Sequence, residues 1–179
     1  MNAQNYTQRS LQAIQAAQQL TIQNQNQQIE QVHLLLALLQ QDGGLVPQLL
    51  KKMGVSTESF EAAVKAEVNK LPRVTGSGRE ADRFYVSRQV DEALTKSEEI
   101  AKGMKDDFVS VEHLLLALID CADSTVKELL RTYNIKKEGV LQTLQTIRGN
   151  QRVTNDTPED TYEALEKYGT DLVKRAREQ

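Results

Sequence analysis

Six residues occur twice in this chain. His33-Leu34-Leu35-Leu36-Ala37-Leu38 returns 80 residues later as His113-Leu114-Leu115-Leu116-Ala117-Leu118. The register holds without a gap well outside the hexapeptide. Thr7 meets Ser87, Ala13 meets Ala93, Leu20 meets Ile100, Ile29 meets Val109, Val46 meets Val126, Val55 meets Ile135 and Val64 meets Leu144. Self-similarity at a fixed period constrains the fold more than any single motif, because each copy must form the same supersecondary unit. Two like units in one chain are expected to face each other across a pseudo-twofold axis. Function is then to be sought between or around the copies.

Composition makes the unit helical. Pro occurs three times in 179 residues, and the abundance of Ala, Leu, Gln, Glu and Lys favours an all-α fold of two four-helix units. In copy one, about residues 1–71, a helix starting near Thr7 carries Leu11, Ile14, Ala17 and Leu20 at helical spacing, with an outer face that is almost all Gln. The polar run Gln23–Gln28 reads as a loop or frayed end. The His-Leu-Leu-Leu-Ala-Leu segment is apolar on nearly every side, so its helix should be buried on nearly every side. Asp42-Gly43-Gly44 ends that helix. A third runs from Leu45 to Met53 with Pro47 in its first turn, and Ser56 caps a fourth from Thr57 to about Leu71.

Copy two, about 87–149, repeats the plan. Ser87 opens a helix with Val90, Ala93 and Leu94; Ser110 caps Val111–Asp120, with Glu112 in a first turn where the helix dipole favours an acid. Helices at Ser124–Tyr133 and from Lys136 to about Arg148 complete it. Leu71–Arg79, with Pro72, Gly76 and Gly78, is the connector between copies. Gly149–Asp156 is polar and reads as a linker on which the domain should swing. Thr157-Pro158-Glu159-Asp160 is a helix-start signature for a final helix, Tyr162–Gln179, outside the repeat. That helix ends in a charged run with no stop signal, as a chain cut at a domain boundary would.

Little in the chain points to catalysis. His33 and His113 each read as a first-turn residue that bonds nearby backbone, since neither His-x-x-x-His nor Cys-x-x-Cys is present to supply a metal site. Cys121 matches Gln41 in the other copy and carries no activating neighbour in sequence. Gly76-Ser77-Gly78 lacks the Lys of a phosphate loop. No catalytic, metal-binding or cofactor-binding residue is assigned. A net charge of −3 argues against a nucleic-acid partner, no apolar run is long enough to span a bilayer, and the N-terminus has no secretory signal. With a single Cys, which excludes an internal disulfide, these features lead to the expectation of a cytoplasmic protein without membrane contact.

The segments Ile29–Leu39 and Val109–Leu118, in order and at this spacing, resemble the Clp N-terminal repeat, the double four-helix module at the front of Clp-family AAA+ unfoldases. The connector Leu71–Gly78 and the segment Tyr162–Ala176 are similar to the corresponding parts of ClpB-type disaggregases. The first copy departs from the family pattern at Gln31 and Val32, where Pro and Glu often precede the His. The resemblance implies a Clp repeat domain over 1–149 and, at 150–179, a linker and helix leading toward an ATPase module. It implies a parent that is a homohexameric ATPase, using ATP and Mg, that disaggregates heat-damaged proteins with the DnaK system. The fragment itself would have no nucleotide site and be a monomer. It would bind unfolded or aggregated proteins in an apolar groove walled by the first helices of the two copies, with Leu11 and Leu94 as lining and Thr7, Asp106 and Glu112 as polar rim. Replacing Asp106 or Glu112 by Ala is then expected to weaken capture and leave the melting temperature almost unchanged. The alternative is an adaptor-docking domain of a protease-linked unfoldase of the ClpA or ClpC kind.

Overall fold

A computed structural model describes residues 2–74 and 85–159. They form eight α-helices after a short 3-10 turn at Ala3–Asn5: α1 (Gln8–Gln23), α2 (Gln31–Leu39), α3 (Leu45–Lys52), α4 (Thr57–Asn69), α5 (Arg88–Gly103), α6 (Val111–Asp120), α7 (Ser124–Thr132) and α8 (Lys137–Arg148). The all-helical expectation holds, and no strand is present among the described residues beyond two isolated bridges. The connector past Val74 and the final helix past Glu159 lie outside the described residues.

Two of the expected caps form with side-chain bonds, whereas Ser56 stands at the N-cap of α4 without one. The Thr7 hydroxyl accepts from Ser10 N–H and the Ser87 hydroxyl from Val90 N–H, at the same place in the two copies. Asp123, unnoticed in the sequence, does the same for Val126. The turns that end the helices are also duplicated. Gln25 and Lys105 both hold positive φ, at 56° and 60°. Asn26 N–H reaches back to Thr21 O and Asp106 N–H to Ala101 O, both at 2.9 Å. This is the Schellman closure of a helix, and it puts Asn26 and Asp106 at equivalent, fixed positions. After α3 and α7 the left-handed residue is Gly54 in one copy and Asn134 in the other.

α2 and α6 are the buried centre. Every residue of α2 is buried, as are all of α6 up to Leu118. They pack on each other at the axis, α1 lies on α2 and α6, and α5 lies on α6. The copies interlock. Copy one's α3 rests on α6 and α8, and copy two's α7 rests on α2 and α4. The segment before each first helix crosses to the other copy. Tyr6 pairs with Val109 through Thr7 N–H to Val109 O (3.0 Å) and Val109 N–H to Asn5 O (2.8 Å). Val86 pairs with Ile29 through Ser87 N–H to Ile29 O (2.9 Å) and Ile29 N–H to Tyr85 O (2.8 Å). Residue for residue these two bridges are the same contact carried round the axis, so the twofold relation reaches the backbone hydrogen bonds.

Candidate functional site

The histidines explain themselves first. His33 Nδ1 accepts from Glu30 N–H and His113 Nδ1 from Ser110 N–H, each at 2.9 Å. Each His is thus the third-residue member of a capping box at the start of a buried helix. With Nδ1 accepting, Nε2 carries the proton. It donates to Asn26 Oδ1 (2.8 Å) in copy one and to Asp106 Oδ2 (2.7 Å) in copy two. Burial lowers His33 to about 4, which keeps its ring neutral.

Copy two then departs from copy one in a coordinated way. Where copy one has Asn26, Val32 and Val68, copy two has Asp106, Glu112 and Arg148. The Arg148 guanidinium donates to Asp106 Oδ1 at 2.7 Å and to Glu112 Oε1 at 3.3 Å, and also to Gln151 O at 3.0 Å. Asp106 Oδ1 accepts Val153 N–H as well, at 2.9 Å. Burial pushes the Asp106 carboxyl up, but the bonds from His113, Arg148 and Val153 outweigh it and bring it down to about 2. Glu112 is fully buried and Asp106 nearly so. Of the two acids expected at a polar rim, Asp106 lines an open cleft and Glu112 is interior. Both accept from Arg148, so their removal should cost stability, against the expectation of an almost unchanged melting temperature.

Residues 151–159, within and just past the expected linker, are strapped to the domain. Val153 is fully buried, and Asp107 N–H donates to its carbonyl at 2.7 Å. Asp156 O accepts Gln8 N–H at 2.9 Å, and Asp156 Oδ2 accepts from Gln8 Nε2 at 3.0 Å. Pro158 and Glu159 begin a helix, as the Thr157-Pro158 signature predicts, and both are buried. Glu159 Oε1 accepts from the Thr7 hydroxyl at 2.6 Å and from Val111 N–H at 3.2 Å. One carboxylate thereby joins the N-termini of α1 and α6, where the helix dipole welcomes an anion. Against this, burial first and then the Glu112 charge push the Glu159 carboxyl up to about 7. Neither Glu112 Oε2 nor Glu159 Oε2 has a hydrogen-bond partner.

Thr7, Asp106 and Glu112 are thus brought into one network, completed by His113, Arg148 and Glu159. Leu94 and Leu11 stand apart from it. Leu94 is buried on α5, while Leu11 on α1 is partly buried against the core. Beside the network lies an open cleft of about 730 Å3, bordered by the 3-10 turn, the end of α5 and the loop 106–109. Half-buried Phe108 lies in it with Glu98, Lys102, Asp106 and Asp107 around it. Sequence reasoning missed Arg148, Glu159 and Phe108. The first was detectable by laying one copy on the other, since three neutral positions turn charged together. Among the described residues no cluster of three or more His, Cys, Asp or Glu could hold a metal ion, and no helix is long and apolar enough to cross a membrane.

Comparison with known proteins agrees with this architecture. The chain is 39% identical over 179 residues to the chaperone protein ClpB of Clostridium perfringens, covering 99% of this chain and 21% of that protein. It therefore spans about a fifth of its relative's length. Its fold matches the crystal structure of the Hsp104 N-terminal domain from Candida albicans with a TM-score of 0.75 at 24% identity, over 87% of this chain and 99% of that one. It also matches a ClpV N-domain solved in complex with a VipB peptide, with a TM-score of 0.57 at 19% identity, over 78% and 88% of the two chains. Residues 5–133 match the family described as the Clp repeat (R) N-terminal domain, and with the duplicated helices, matched caps and crossed bridges in place, the chain belongs to that family.

Proposed function

We propose that this domain captures unfolded segments of damaged proteins for an ATP-dependent disaggregase that acts with the DnaK system. In this reading the parent is a cytoplasmic homohexamer that binds ATP and Mg elsewhere in its sequence. The observation that carries the reading is the 39% identity to a ClpB chaperone along essentially the whole chain. The cleft beside α5 supports it locally. An aromatic ring ringed by carboxylates suits a polypeptide in which basic residues flank an apolar stretch, and the charges steer encounter more than they add affinity. Leu94 stands one helical turn before Glu98 on α5, so the apolar lining expected of that helix ends at the cleft.

The exposed acid of the loop gives the cleanest test. Asp107→Lys reverses a charge at the cleft while leaving the buried network intact. Its binding of a permanently unfolded protein, such as reduced and carboxymethylated lactalbumin, is expected to weaken several-fold with the melting temperature unchanged. Unaltered binding, with chemical-shift changes on another face, would place the substrate elsewhere. The adaptor-docking alternative draws on the ClpV N-domain solved in complex with a VipB peptide. It requires saturable binding of one folded partner and indifference to unfolded chains.

A further inference from the structure

The strap 151–159 bonds to the loop that borders the cleft. Val153 gives its N–H to Asp106 Oδ1 (2.9 Å), and its carbonyl accepts Asp107 N–H (2.7 Å). Asp106 and Asp107 also line the cleft. The Val153 side chain is completely buried, so lifting the strap vacates its seat and frees the Asp106 carboxylate and the Asp107 N–H that bond its backbone. Pairing of this kind is sequence-tolerant, because any extended chain offers the same N–H and C=O. The far end of the strap is held by the Glu159 carboxylate, between the Thr7 hydroxyl and Val111 N–H.

We propose that residues 151–159 are a built-in competitor for the polypeptide site, latched by Glu159 and displaced when substrate binds. The proposal rests on the polypeptide-capture reading above and adds its regulation. Occupancy of the seat by the strap weakens capture, and release of the strap also frees the domain from the chain that follows it. Binding and mobility are then one equilibrium. Val153 is the inner competitor and Glu159 the outer catch.

The catch has an electrostatic weakness that makes it releasable. Glu159 faces Glu112 of α6, whose carboxylate accepts from Arg148 of α8; the α1 group that bonds it, the Thr7 hydroxyl, is neutral, as is Ser10 beside Thr7. The docked carboxyl is pushed up to about 7, from the ordinary 4.5 of a free glutamate. A docked strap therefore holds a proton more tightly than a free one. Docking is strongest below pH 4.5, weakens as pH rises toward 7, and is level beyond that. Between pH 6 and 8 the docking constant should fall by about tenfold.

Hydrogen exchange on the 179-residue chain tests the proposal at two amides that only the strap protects, Asp107 N–H and Gln8 N–H. Glu159→Ala, or independently Val153→Ser, is expected to lose that protection and to bind carboxymethylated lactalbumin several-fold more tightly. Glu159→Gln keeps an acceptor for Thr7 and Val111 and cannot ionise. It should hold the strap at pH 8 as firmly as at pH 6 and bind substrate more weakly than the parent chain. Loss of protection without a gain in affinity overturns the competitor role, as does protection that survives both loosening variants. If neither the parent chain nor the loosened variants bind unfolded protein at all, the capture reading itself fails, and the exchange data alone decide whether the strap is latched.

Discussion

Asn26 and Asp106 occupy one place in the fold and do one job, accepting from the His Nε2 of the next helix at 2.8 and 2.7 Å. Only copy two makes that acceptor a charge, and only copy two supplies Arg148 to meet it. The pairing is consistent, because an uncompensated carboxylate at this depth would ionise only at great cost. Arg148→Ala should therefore strand Asp106 and Glu112 and cost about 3–5 kcal/mol in urea unfolding. The triple change Asp106→Asn, Glu112→Val, Arg148→Val rewrites the site in copy one's letters and should recover most of that loss. If the triple variant is no more stable than Arg148→Ala, the trio is not the unit described. The Asp106 carboxyl, held at about 2 against the ordinary 3.8 of a free aspartate, adds a pH signature. Its contribution is complete above pH 3.8 and disappears as pH falls through 2, so the acid limb of unfolding should move upward in Asp106→Asn.

Among the elements, much was legible because the signals are local. Thr7, Ser87 and Ser110 start helices where their side chains can cap, and Gly43 and Gly54 stand at left-handed turns. The all-round apolar run of α2 reads correctly as a buried core helix. What was not legible joins residues far apart in sequence. Val153 and Glu159 fall in a stretch whose polarity signals a free linker, yet the two apolar or orphaned groups in it find seats that only the folded domain creates. Gln31 is a second case. In sequence it is only a departure from the family pattern. In the fold it is fully buried, donates to Gln89 O at 3.0 Å and Cys121 O at 2.8 Å, and accepts from Asp123 N–H at 2.8 Å. One copy-one side chain thus satisfies the end of α6 and the start of α7. Gln31→Ala should leave those backbone groups unpaired and cost about 2–4 kcal/mol, measured by thermal or urea melting. A cost under about half a kcal/mol would mean the ends of α6 and α7 are satisfied without it.

On the scale of the whole molecule, the duplication does not make two domains. Each copy lends its leading segment to the other, through Tyr6 with Val109 and Val86 with Ile29, and each short third helix is covered by the opposite copy. Leu45, Val46, Leu49 and Leu50 of α3 are all buried, as are Val126, Leu129 and Leu130 of α7. The Phe60 and Tyr133 rings meet edge to face across the copies at 5.0 Å. Separating the halves would bare part of each of these side chains, at up to about 1.5–3 kcal/mol each, a loss comparable with the 5–15 kcal/mol by which a domain of this size is stable. The interlock therefore predicts one cooperative unit. Amides in the centre of α2 and of α6 should exchange with the same free energy, and that value should equal the global unfolding free energy. A peptide of residues 1–74 alone should be unfolded, or should associate with a second copy of itself that takes the place of copy two and turns the pseudo-twofold into a true one. A monomeric, folded 1–74 peptide, or separate exchange free energies for α2 and α6, would mean that the crossed bridges are decoration on two self-sufficient bundles. The shared core argues otherwise, because α2 and α6 pack on each other and α3 and α7 each rest on helices of the opposite copy.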